Sequence, residues 1–225
     1  MHQWRLQDRQ VLWRCHSDAV NGALVRRWIP AHPRGRLLKT DLFDEAVGDG
    51  LYAALASRAT RILGVDKAFA AASAAKTQHR CLQCTVADVR WLPFEDGQFD
   101  IVVSNSTLDH FRTSDEIMIS LRELRRVLSK EGRLILTLDN LANPAILIRN
   151  QLPFRLLNQV GIVPYYVGAT MGPKGLCQAL GQAGFELLEL DAIMHCPRVL
   201  AVAIAGCLQR HTNTATQRRL LRLLL

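Results

Sequence analysis

A chain of 225 residues with 49% hydrophobic side chains can bury one complete core and suits a single α/β domain better than two. Its formal charge of +8 would suit nucleic acid or an anionic membrane, but the cations are dispersed. With no long Lys/Arg run and no basic stripe interleaved with aromatics, nucleic acid is not an expected partner.

Residues Val11 to Ile29 carry Leu12, Cys15, Ala19, Ala23 and Trp28 near helical spacing and stop before Pro30 and Pro33, which predicts a helical cap over residues 1–35. The opening residues, Met1-His-Gln-Trp-Arg-Leu-Gln-Asp-Arg9, are interrupted by charge and lack the apolar core of a signal peptide. The late apolar run Val199 to Leu208 is too short to span a bilayer as a helix. A cytoplasmic location is the expectation.

Seven apolar runs then read as strands: Arg36 to Phe43, Arg61 to Val65, Cys81 to Val86, Phe99 to Ser104, Arg133 to Leu138, Phe185 to Ile193 and Val199 to Ala205. The early runs are nearly continuous rather than alternating, as expected of parallel strands covered on both faces. Helices are predicted at Tyr52 to Arg58, Phe69 to Lys76 and Asp115 to Leu128. The last opens with Thr113-Ser-Asp-Glu116, a capping box, and is expected to stop at Gly132 in the left-handed conformation.

Between the fifth and sixth runs, residues 140–184 form a long, proline-punctuated insertion of the kind that carries function. At the end of the chain, Gln217-Arg-Arg-Leu-Leu-Arg-Leu-Leu-Leu225 sets cations among leucines. The tail, residues 207–225, is a candidate peripheral-membrane or partner helix, or a docked terminal one. Cys81-Leu-Gln-Cys84 has ligand spacing, yet a second such pair is missing, and residues three apart on a strand face opposite ways. Reduced thiols and no metal are expected.

The most informative stretch runs from Ala87 to Phe111. Asp88 follows an apolar run; Leu92-Pro-Phe94 and Gly97 make a turn; Phe99-Asp-Ile-Val-Val-Ser104 leads to Asn105. Together with Leu121-Arg-Glu-Leu-Arg-Arg-Val-Leu-Ser-Lys-Glu-Gly-Arg-Leu-Ile-Leu-Thr137, it resembles the class I S-adenosylmethionine-dependent methyltransferases, in particular the small-molecule branch called type 11. The resemblance implies a Rossmann-like α/β fold over residues 36–206. Its sheet would have seven strands, mostly parallel with an antiparallel last strand, and helices on both faces. It also implies S-adenosylmethionine as cofactor and acceptor specificity built in the 140–184 insertion, with N-terminal helices that either cap the cofactor or acceptor pocket or simply cover the sheet.

Carried onto this chain, the family's first loop falls on Lys39 to Gly50. Aligning Gly48-Asp-Gly50 with the last two glycines puts Asp44 at the acidic position and Ala46 where a glycine is usual; a register set on Thr40-Asp41 makes Asp41 the competitor. Glycines let the backbone bend sharply and a ligand approach. Gly64-Val-Asp66 ends the second run in a carboxylate that can accept from both ribose hydroxyls or serve as a helix cap. By resemblance Asp88 accepts from the adenine amino group, and the Val89 amide faces a ring nitrogen.

Asn105 and the Ser106 to His110 loop leave the carboxyl end of the fourth run, where open α/β sheets place ligands. Asp109 or His110 is the candidate base for an acceptor proton, the alternative for His110 being packing over the cofactor or helix capping. His195, Tyr165 and Tyr166 are further acceptor-side candidates with structural alternatives. The expected partner is a small-molecule, glycan or lipid-like acceptor methylated on O, N or C. Two other readings stay open: an NAD-dependent oxidoreductase, which would want a complete G-x-G-x-x-G, and a non-catalytic methyltransferase-like binding protein, favoured by Ala46.

Overall fold

The computed structural model describes residues 11–29, 35–159, 168–193 and 216. The chain divides into two compact units, Met1–Arg27 with Asp191–Leu225, and Trp28–Leu190. Helix α1 (Val11–Trp28) dominates the described part of the first, where Arg27 Nη1 pairs with Asp191 Oδ2 at 3.1 Å.

The second unit is built on five parallel strands: β1 (Arg36–Thr40), β2 (Arg61–Asp66), β3 (Gln83–Val86), β4 (Phe99–Asn105) and β5 (Leu128–Thr137). Their order across the sheet is β3-β2-β1-β4-β5, so the winding reverses between β1 and β4. In register, Leu38 sits between Leu63 of β2 and Val102 of β4. Residues 37–40 of β1 are buried without a break, as are 101–104 of β4; the continuous apolar runs reflect central strands covered on both faces.

Short helices α2 (Phe43–Val47) and α3 (Tyr52–Ala56) connect β1 to β2, and α4 (Phe69–Gln78) connects β2 to β3. Helix α5 (Ser114–Val127) crosses from β4 to β5 and starts as predicted. The Thr113 hydroxyl accepts from the Glu116 amide, and the Glu116 carboxylate accepts from the Thr113 amide. Ile117, Leu121, Leu124 and Val127 repeat at helical spacing and are fully buried against a core that includes Leu38, Val102 and Leu108. Each such leucine contributes roughly 1.5–3 kcal/mol of apolar burial.

The helix does not end on Gly132. It stops at Val127, and Leu128 is already extended and paired with Phe99. Strand pairing begins immediately, leaving no room for a left-handed stop, and Gly132 lies within β5 against the Leu128 side chain.

The seven-stranded sheet is also corrected: among the described residues it has five strands, all parallel. Phe185 to Ile193 forms no strand, and Leu188 within it is 73% exposed. An apolar run becomes a strand only where a neighbour supplies its ladder, and this one gains none. The run from Val199 to Ala205 lies outside the described residues, as does the tail apart from residue 216.

The 140–184 insertion contributes α6 (Pro144–Gln151), α7 (Phe154–Gln159) and α8 (Pro173–Gln182). Before α8 the chain returns to the sheet's carboxyl end. Gly168 and Ala169 amides donate to the Asp109 and Phe111 carbonyls, each at 2.7 Å, and Met171 bridges Asn140. Among the described residues, no helix is long and apolar enough to cross a membrane.

Candidate functional site

The strand order reverses between β1 and β4, and the carboxyl ends of the strands at such a reversal are where open α/β sheets bind ligands. Three hydroxyls straddle the reversal. Thr40 Oγ1 lies 2.9 Å from both Ser104 Oγ and Thr107 Oγ1, tying the end of β1 to the end of β4 and the loop beyond.

Carboxylates end the three strands on one side. Asp41 follows β1 in the left-handed region, φ 71°, and its Oδ1 accepts from the Phe43 amide at 2.9 Å. Burial pushes its carboxyl up to about 6, against the opposing pull of Lys39, with Asp66 and Asp44 adding to the rise. Asp66 ends β2. Its Oδ2 accepts from the Leu42 amide at 3.0 Å and its Oδ1 from the Ala68 amide at 2.7 Å. An ionised carboxylate oxygen can accept two donors, so each oxygen retains one acceptor position, enough for two adjacent hydroxyls.

Asp88 follows β3 and is clasped by Arg90. Oδ1 accepts from the Arg90 amide and Nε at 3.0 Å each, and Oδ2 from Nη2 at 2.7 Å. These bonds from Arg90 hold its carboxyl below the usual carboxylate range. By the same count Oδ1 is filled and Oδ2 keeps one acceptor position. Val89 beside it is buried.

The loop between β1 and α3 departs from the glycine-rich expectation. Asp44 stands inside α2 rather than at the strand's end, and Gly48 is extended, its carbonyl 3.3 Å from His79 Nε2. Gly50 is left-handed, φ 52°, and a Cβ there would lie 2.6 Å from Glu45 Oε1. Glu45 is fully buried; its Oε1 accepts from the Leu51 amide, and its Oε2 lies 2.7 Å from Lys39 Nζ. Lys39 also donates to the Asp41 carbonyl at 2.6 Å. Burial alone would lower the Lys39 pKa, but Glu45, Asp41 and Asp44 outweigh it, and the net direction is up.

On the other side of the reversal, Asn105 ends β4 with its Oδ1 accepting from Thr137 Oγ1 at 2.7 Å. The chain then turns through Ser106, φ 48°, into a single 3-10 turn, Leu108–His110. Asp109 is only 4% exposed and its Oδ1 has no hydrogen-bond partner. Burial first, and the neighbouring Asp139 second, push its carboxyl up to about 6, while His110 and Arg149 pull the other way. His110 reaches the surface, its Nε2 4.0 Å from Asp109 Oδ1, beyond hydrogen-bond length. Asp139 is paired with Arg149 at 2.7 Å, and its carbonyl accepts from the Thr170 hydroxyl.

The sequence-derived residues thus sort into two groups either side of the reversal in strand order: Asp66, Asp88, Val89 and the Gly48–Gly50 turn on the β1–β3 side, and Asn105, Asp109 and His110 at and after the end of β4. Tyr165, Tyr166 and His195 lie outside the described residues. Sequence reading missed Lys39, Glu45 and Arg90. The Asp88-x-Arg90 spacing was a usable signal, because an Asx-type turn and a salt bridge can form within three residues; the Lys39–Glu45 pair required knowing that α2 exists.

Residues 43–136 match the family model described as Methyltransferase domain. Among curated proteins, the mitochondrial arginine-hydroxylase NDUFAF5 of Danio rerio is 28% identical over 116 residues, 52% of this chain and 35% of that protein. The chain therefore spans about a third of the length of the curated relative it matches. A solved structure from Bacillus halodurans assigned as a methyltransferase covers 90% of this chain and 82% of its own, at 19% identity and TM-score 0.61. An S-adenosylmethionine-dependent methyltransferase of Mesorhizobium loti gives 83% and 91%, at 17% identity and TM-score 0.60. These two structures share the fold.

Proposed function

We propose that the chain carries a class I S-adenosylmethionine-dependent methyltransferase domain, as the match over residues 43–136 supports, and that it transfers a methyl group to an O, N or C atom of a small-molecule, glycan or lipid-like acceptor. The observation that carries this reading is the row of carboxylates, Asp41, Asp66 and Asp88, ending β1, β2 and β3 beside the sheet's reversal.

In this reading the two open acceptor positions on Asp66 take the ribose hydroxyls. The remaining position on Asp88 Oδ2 takes the adenine amino group, and the Val89 amide faces the ring. Asp41 at the strand's end is better placed than Asp44 in α2 to meet the ammonium of the aminocarboxypropyl arm, and a cation there would offset the cost of ionising it. Gly48 and Gly50 let the backbone approach the same arm.

When bound, S-adenosylmethionine supplies a methyl group already electrophilic on its sulfonium, so alignment and exclusion of water are the protein's main tasks. Asn105, fixed by Thr137, and the loop to His110 form the face toward the acceptor. Segment 168–171 walls that face. Where the acceptor retains its proton, His110 at the surface or Asp109 beneath it removes it.

Calorimetry on the purified chain tests the reading. S-adenosylmethionine and S-adenosylhomocysteine should bind, and Asp66→Ala and Asp88→Ala should each weaken binding at least about tenfold, the loss expected of a charge-assisted hydrogen bond. Tighter binding of NAD, or no nucleoside binding, would sink it. The helix in place of a glycine loop favours a second reading, nucleoside binding without transfer. A labelled-methyl assay over metabolites, glycans and lipids separates the two.

A further inference from the structure

Arg90 contacts more of this site than its position in a turn suggests. One face of its guanidinium work is the clasp on Asp88; on the far side Nη1 donates to Glu116 Oε1 at 2.6 Å. Its Cζ lies 4.8 Å from the Trp91 ring centroid and 5.0 Å from that of Phe111, so the group is held between aromatic neighbours as well as by charge.

Glu116 is shared. Its Oε2 accepts from the amides of Arg112 and Thr113 at 2.8 and 3.2 Å, the last residues of the loop that begins at Asn105 and contains Asp109 and His110. An unbroken chain of hydrogen bonds therefore runs from Asp88 through Arg90 and Glu116 to that loop, reinforced by Phe111 against Arg90.

We propose that Arg90 is a positioning residue that couples occupation of the adenine turn at Asp88 to the ordering of the acceptor-side loop, residues 106–113. The inference rests on the proposed function, since it takes Asp88 as a nucleoside contact. Arg90 touches neither methyl donor nor acceptor in this scheme. It fixes the one remaining acceptor position of Asp88, and any shift of that carboxylate is passed through a rigid, multiply bonded fork to Glu116. A lysine, with a single point charge, cannot hold both carboxylates in this geometry.

The test combines calorimetry with amide hydrogen exchange, using S-adenosylhomocysteine as the probe. In the wild type, the probe should slow exchange across 106–113 as well as around 88–92. Arg90→Gln should raise the dissociation constant about tenfold and abolish the slowing at 106–113, while the residual binding still protects 88–92. Glu116→Gln, which keeps a side chain competent for the capping box but removes the charge facing Arg90, should at least halve the slowing at 106–113. If Arg90→Gln fails to fold, Arg90→Lys provides the same comparison with a cation retained. Wild-type affinity together with wild-type protection of 106–113 in the Arg90 variant overturns the coupling. Binding by the wild type without any protection of 106–113 also overturns it. Absence of binding by the wild type is a different result: it defeats the proposed function, and this inference with it.

Discussion

Lys39 Nζ and Glu45 Oε2 form an ion pair at 2.7 Å with side chains 3% and 0% exposed, joining the carboxyl end of β1 to helix α2. A buried pair of this kind is a poor source of net stability but costly to break, because removing one partner strands a charge. Lys39→Met should cost about 3–5 kcal/mol in urea denaturation, and Lys39→Met/Glu45→Leu should recover much of that loss. A double variant no more stable than the single would show that the two charges are not coupled.

Asp109 should make the fold less stable as the solution becomes less acidic. Its native carboxyl is pushed up to about 6 from 3.8, so the folded state holds the proton more tightly than the unfolded chain. Stability then falls as pH rises from about 4 to about 6 and is level above. Asp41 is displaced in the same direction and adds to the slope. Asp109→Asn should match wild type near pH 3.5 and exceed it at pH 7.5, while a methyl-transfer rate that needs this base falls. Equal stability of the two proteins at pH 7.5 would rule out the penalty.

The helix start offers a cleaner measurement. Thr113→Ala removes the hydroxyl that caps α5 and should cost about 1 kcal/mol in chemical denaturation. The loss should be unaffected by salt, since the acceptor is a neutral hydroxyl; a strongly salt-dependent loss would point instead to the carboxylates of the first turn.

Two glycines separate backbone strain from crowding. Gly97 and Gly50 both have positive φ, but a Cβ at Gly97 would find its nearest neighbour at 3.8 Å, whereas at Gly50 it would press on Glu45. Gly97→Ala should cost about 1–2 kcal/mol from the left-handed conformation alone. Gly50→Ala should cost clearly more, with the excess reduced in a Glu45→Leu background. Thermal and urea melts of the wild type, the three single variants and the Gly50→Ala/Glu45→Leu double variant would check this.

Much of the scaffold was legible from residues alone, since all five described strands fall on runs read as strands, and the capping box at Thr113 needs only local chemistry. The acids at 66 and 88 were readable for the same reason: strand, then carboxylate. What escaped were features that depend on partners distant in sequence or on a competing local choice. Lys39 and Glu45 fall in the stretch the resemblance assigns to the first loop, and their neutralising each other requires a helix where that resemblance places glycines. Gly132 carried a stop signal that the immediate pairing of Leu128 overrode. The run after Phe185 had the composition of a strand but pairs with none of the described strands.

The pairing of β4 with β5 has one irregular place: Phe99 faces Leu128, the next aligned pair is Ile101 with Arg133, and residues 129–132 stand opposite Asp100 alone. From there the register runs true to Asn105 and Thr137, the pair at the proposed reaction face. The slack is confined to the end of the sheet opposite the strands' carboxyl ends. Insertions or deletions arising at 129–132 during descent would be absorbed before they reached Asn105, so this corner gives evolution a place to change the length of the chain without retuning the chemistry.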